Sequence, residues 1–106
     1  MMFQTITGNL GVNPTVHHTG SGEMTTDFTV TVNGNSDSAT TWVNITAWNG
    51  LGKRQAQHLR KGGFVKVIGH LATERFFDPW SGEEITILNM TASDIQTLWR
   101  KPVVAS

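Results

Sequence analysis

The chain has 106 residues, enough for one compact domain with a single core and little more. It contains no cysteine, which excludes disulfides and thiolate metal sites, and none of its apolar runs is long enough to span a membrane. Eight basic and eight acidic side chains cancel overall but not locally: residues 1–37 sum to −3, residues 38–73 to +5 and residues 74–106 to −2. A neutral chain of this kind can still turn a basic face to a polyanion, here through Lys53, Arg54, Arg60, Lys61 and Lys66. The opening residues show no basic region followed by an apolar stretch, so no signal peptide is read and a cytoplasmic location is expected.

Phe3 to Leu10 reads as a first strand, rich in threonine, and Gly11, Asn13 and Pro14 punctuate the chain after it. Gly20-Ser21-Gly22 marks a tight turn. Thr25 to Val32 then alternates with period two, with Phe28, Val30 and Val32 on one face and Asp27, Thr29 and Thr31 on the other. Asn33 to Thr41 has the composition of a loop.

Trp42 to Trp48 is the most informative strand. Val43, Ile45 and Ala47 form the natural core face, which leaves Trp42, Asn44, Thr46 and Trp48 on the outside. Asn49 is placed to cap a helix running to about Arg60, stopped by Gly62-Gly63. Phe64 to Phe77 continues as a strand, Asp78 to Gly82 turns, and Glu84 to Ala92 returns as the last strand. Asp94 to Trp99 reads as a closing helical turn, and Lys101 to Ser106 as a frayed tail. The layout is all-β: a five-stranded oligonucleotide-binding (OB-fold) barrel with one short helix between strands 3 and 4. It is read as one domain, 1–99, with residues 100–106 as a tail.

Catalytic chemistry finds no support. His17, His18, His58 and His70 show no metal-ligand spacing, so no metal and no cofactor are expected. Glu83 and Glu84 are neighbours that would face opposite ways along a strand, so they cannot converge as an acid and base pair. There is no GxSxG elbow, and Gly20-Ser21-Gly22 lacks the lysine of a phosphate loop. The chain is read as non-enzymatic. Aromatic residues in polar or basic settings point elsewhere: Trp42, Trp48, Phe76, Phe77 and Trp80 offer π-faces for bases, beside cations for a phosphate backbone. Phe76 and Phe77 are adjacent and face opposite sides, so only one of them is expected to stack. A core or subunit-interface role for these aromatics is the competing explanation.

From Ile6 to Leu98 the chain resembles the bacterial single-stranded DNA-binding protein family. The resemblance is carried by Gly8-Asn9-Leu10-Gly11 with Pro14, by Trp42 through Gly50, by Leu59-Arg60-Lys61-Gly62 with Val65, Val67, Gly69 and Leu71, and by the Asp78–Gly82 tip. It implies base stacking on Trp42, Trp48 and Phe76, and backbone contacts from Lys61 and Arg75. Lys53, Arg54 and Lys66 join them from the basic block, and Trp80 from its place at a turn tip. The implied partner is single-stranded DNA in replication, recombination or repair, and the implied assembly is a homotetramer, with a dimer as the alternative. An accessory OB-fold protein of primosome type, bridging DNA and a helicase-loading partner, is the nearest rival. A protein-interaction module using the aromatic face as an interface is the other. Asn44 and Gly50 depart from the family's usual pattern, and the Asn33–Thr41 loop lacks its aromatic. No acid follows Asp94, so recruitment of repair enzymes through an acidic tail is not expected.

Overall fold

The computed structural model describes residues 2–33 and 40–100. Six strands form: β1 (Met2–Leu10), β2 (Thr15–His18), β3 (Met24–Asn33), β4 (Thr40–Trp48), β5 (Phe64–Phe77) and β6 (Glu84–Trp99). Between β4 and β5 lie a one-and-a-half-turn helix, α1 (Asn49–Arg54), and a 3-10 turn, Ala56–His58. The pairing order is β1-β5-β6-β4-β3, and β1 also pairs with β3, so these five strands close into a ring. Short β2 lies outside the ring on β3. The five-stranded ring with a helix between its third and fourth strands is the OB fold expected from the sequence.

Alternation builds the core. Phe28 and Val30 of β3, Val43, Ile45 and Ala47 of β4, Val65 and Val67 of β5 and Met90 of β6 are all buried inside the ring. Each large aliphatic or aromatic side chain so buried contributes about 1.5–3 kcal/mol relative to exposure. Ala56 and Leu59 plug one end, with Leu51 packed against them at the margin of the core.

Ring closure rests on Gly8. Beside it β1, still paired with β5 through Asn9 and Phe64, also meets β3, with Asn9 opposite Thr31 and Leu10 opposite Val30. A Cβ on Gly8 would collide with the Thr31 carbonyl oxygen and stand 2.7 Å from Val30 Cγ1. Only glycine lets the two backbones come this close.

Three sequence expectations are corrected. First, β2 has no counterpart among the expected strands: all four of its side chains are exposed, so the segment pairs by backbone alone and carries no apolar alternation. Second, the helix ends at Arg54 rather than near Arg60, and Asn49 does not cap it. Asn49 sits at φ 46°, and its Oδ1 instead accepts the Met24 N–H at 3.0 Å, tying the start of β3 to the end of β4. Third, Asp94–Trp99 is not helical but continues β6. Ala92 and Ile95 are both buried although three residues apart, a spacing that suggests a helix. A bulge between the Ala92–Gly69 and Asp94–Ile68 pairs leaves Ser93 unpaired, and this extra residue returns Ile95 to the inner face. The Asn33–Thr41 loop and the Lys101–Ser106 tail fall, respectively, largely and wholly outside the described residues.

Candidate nucleic-acid interface

The outer face of β4 carries Trp42, Asn44, Thr46 and Trp48, as the alternation requires. Trp42 is 57% exposed and Trp48 43% exposed. They stand about 20 Å apart along an extended strand. The surface between them is polar: Asn44 Nδ2 donates to Asn89 Oδ1 of β6 at 3.1 Å, and Thr29 and Asp27 of β3 stand opposite Asn44 and Thr46.

Trp42 is braced from one side. A Cβ added to Gly11 would lie 2.5 Å from indole Cζ3 and 3.2 Å from Cη2, so the ring edge rests on the backbone of the β1–β2 loop. The Gly11 N–H, in turn, donates to the Thr29 carbonyl at 2.9 Å. Gly11→Ala is therefore expected to shift the indole without removing it. The expected readout is a displaced tryptophan emission maximum and weaker oligonucleotide binding, with a loss smaller than that of Trp42→Ala. An unchanged spectrum would mean that the loop does not seat the ring.

Strand register extends the row. Asn44 pairs with Asn89 and Asn89 with Ala72, so these three share the outer face. Two steps along the β5–β6 hairpin from Ala72 come Glu74 opposite Ile87, and then Phe76 opposite Ile85. Phe76, 45% exposed, thus belongs to the face of Trp42 and Trp48, while Phe77 belongs to the other. Trp80 stands at the hairpin tip, 94% exposed. The tip is an ordered turn in which Asp78 accepts the Trp80 N–H at 2.9 Å and the Ser81 hydroxyl at 3.1 Å.

The cations are distributed less evenly. Lys53 and Arg54 are exposed on α1, within about 9 Å of Trp48 along the helix axis. Arg54 folds back so that its guanidinium lies over Gly50. Lys61 is exposed in the turn before β5, its backbone N–H held by Asn13 Oδ1 at 2.8 Å. Arg75 lies on the hairpin face opposite Phe76, with its Nε 3.8 Å from Glu84. Lys66 is on β5 between Thr7 and Gln96, a register that does not bring it to β4.

Besides Glu74 on the hairpin, an acid of β3 sits on this face. Asp27 lies 3.3 Å from His17 Nε2, and both line a concavity of about 360 Å³ together with Thr15, Thr29, Asn44 and Thr46. From sequence His17 is an ordinary surface residue, because its place depends on β2. A carboxylate here opposes a phosphate chain. Asp27→Asn is expected to tighten binding by about 1.5- to 5-fold at low salt, the scale of one exposed charge interaction. The gain should fade as salt is raised. Weaker binding by Asp27→Asn at low salt would show that the carboxylate holds the strand rather than repelling it.

Among the described residues no three metal-binding side chains cluster, and no helix is long and apolar enough to cross a membrane.

A closed OB ring with one face of outward aromatic side chains, and cations at its margins, defines a class of small β-barrel with the chemistry to receive flat π-systems on a charged chain. The chain belongs to the Single-strand binding protein family, which matches residues 2–98. It is 31% identical over 101 residues to single-stranded DNA-binding protein 1 of Chlorobaculum tepidum, covering 89% of this chain and 62% of that protein. It is 30% identical over 98 residues to the single-stranded DNA-binding protein of Neisseria meningitidis serogroup A, covering 86% and 56%. The corresponding protein of Enterococcus faecalis is 26% identical over 98 residues, covering 88% and 52%. The chain therefore spans between about half and three fifths of the length of these relatives.

Proposed function

We propose that the chain binds single-stranded DNA with little regard to sequence. Bases stack on Trp42, Trp48 and Phe76, and phosphates are held from the margins by Lys61, Lys53 and Arg54. Trp80 adds a stacking surface at the hairpin tip, while Lys66 and Arg75 contribute to the positive field around the site. The protein performs no reaction and needs no cofactor. It sequesters unpaired strands during replication, recombination or repair, in the cytoplasm at the nucleoid, as a homotetramer. The observation that carries this reading is the shared face: register alone aligns three half-exposed aromatic rings from two separate parts of the chain.

The direct test is titration with oligo-dT at low salt, read by tryptophan fluorescence. Quenching that weakens as salt rises is expected, because stacking perturbs the indoles and phosphate contacts release counterions. No quenching at low salt overturns the proposal. Mass measurement in solution tests the assembly, and a stable dimer would replace the tetramer.

A further inference from the structure

The β1–β2 loop walls two concavities. Val12 and Thr15 face the one beside Asn44 and Asp27. Asn13 and Pro14 face a second, of about 440 Å³, completed by Gln57, His58 and Arg60 after α1 and by Arg100 after β6. The two arginines come from segments forty residues apart in sequence and meet only because the ring closes. Both are exposed, and among the described residues neither has a carboxylate within ion-pair distance.

The cleft is held by its backbone. The Lys61 N–H donates to Asn13 Oδ1 at 2.8 Å, the Gly62 N–H to the Leu10 carbonyl at 2.9 Å, and the Leu10 N–H to the Gly63 carbonyl at 2.9 Å. Residues 61–63 are thereby clamped to Leu10 and Asn13, and the Arg60 carbonyl accepts the Gly63 N–H at 3.0 Å. The Asn13 carbonyl oxygen faces the Lys61 N–H, so its amide hydrogens remain as donors for a ligand. Two guanidinium forks, an imidazole and two amides line the cleft, and no phenylalanine or tryptophan does. That chemistry suits phosphodiester oxygens rather than bases, because the planar fork matches phosphate geometry.

We propose that this cleft is a second DNA-backbone site, reached by a strand that leaves Trp42, crosses the Gly11–Thr15 loop and lays its phosphates against Arg60 and Arg100. The inference rests on the single-stranded DNA reading above and adds a path to it. It extends the binding unit through Arg100. An oligonucleotide that only fills the aromatic face does not use the cleft, whereas a longer one does, within the roughly 4–16 nucleotides that one OB fold covers.

The test compares oligo-dT of about 6 and about 16 nucleotides, the range spanned by single OB folds, across a salt series. The proteins are the wild-type chain, an Arg60→Ala/Arg100→Ala variant and an Arg60→Lys/Arg100→Lys variant. The alanine pair should leave the short oligonucleotide unaffected. On the long one it should lower the slope of log K against log salt by about 1.4, two phosphate contacts at about 0.7 each for single strands. Affinity for the long oligonucleotide should fall by about tenfold or more at low salt, because two counterion-releasing contacts are lost. The lysine pair keeps the charge without the fork, so it should keep most of the slope while losing part of the affinity. An unchanged slope and affinity for the long oligonucleotide in the alanine pair overturns the cleft. So does an equal loss on both lengths, which would place the arginines at the aromatic face. If the wild-type chain quenches with neither length, the DNA reading fails and the cleft with it. Circular dichroism and solution mass establish that the variants remain folded and assembled.

Discussion

Replacing Trp48 by alanine is expected to weaken oligo-dT binding by about 5- to 150-fold, the range set by about 1–3 kcal/mol of stacking per base. The indole is half exposed on the outer face of β4, while Ala47 beside it points into the core. Its loss therefore removes a binding surface and leaves the ring intact. Trp42→Ala belongs to the same range, and the two rings stand far enough apart along the strand for their effects to be close to additive. The hairpin supplies the internal control. Phe76→Ala should weaken binding and Phe77→Ala should not, because register puts Phe76 on the aromatic face and Phe77 on the opposite one. Equal effects at residues 76 and 77 would mean that the strand runs along the hairpin edge. Thermal unfolding of each variant separates lost contact from lost fold.

Trp42 and Trp48 are legible in the sequence because of their neighbours. Val43, Ile45 and Ala47 claim the inside of the strand, and period two then forces both tryptophans outward. The same logic locates β3, β5 and the Asp78–Gly82 turn. It fails where a local pattern has two readings or none. Ala92 and Ile95 have helical spacing, and only the bulge at Ser93, created by pairing with β5, makes them strand neighbours on one face. β2 buries no side chain, so nothing in its composition marks it. Asn49 has the chemistry of a helix cap but spends its side chain on Met24, a choice set by how β3 and β4 align.

The site follows the same division. Side-chain type names the proposed stacking residues, but their supports are tertiary. Gly11 lies 31 positions before the indole it seats, Asp27 meets His17 only across the β2–β3 pairing, and Arg60 meets Arg100 only across the closed ring. Charge counted along the sequence likewise says nothing of what surrounds Lys66 and Arg75. The first stands between Thr7 and Gln96, away from β4, and the second lies 3.8 Å from Glu84.

Gly8→Ala is expected to be strongly destabilising for so small a substitution. The added methyl meets the Thr31 carbonyl oxygen, the Thr31 carbonyl carbon at 3.0 Å and Val30 Cγ1 at 2.7 Å. Two of those three are backbone atoms and cannot rotate away. Overpacking of this kind costs typically about 1–3 kcal/mol, and a backbone collision belongs at or above the upper end. Against a total stability of about 5–15 kcal/mol, that is a large share. Urea unfolding at one fixed protein concentration should show a clearly lower midpoint for Gly8→Ala, with a similar slope if the ring still closes. Gly20→Ala is the control, since a methyl there meets nothing within 4 Å, and its midpoint should hold or rise slightly. The functional consequence follows from the chain order. Gly11 follows Gly8 by three residues, and the seat of Trp42 exists only while β1 is drawn against β3 at Asn9 and Leu10. Gly8→Ala should therefore shift the emission of Trp42 and weaken oligo-dT binding under conditions where the protein is still folded. A variant with an unchanged midpoint would show that β1 and β3 can separate at Gly8 without cost. The closed ring would then not be what holds Trp42 in place.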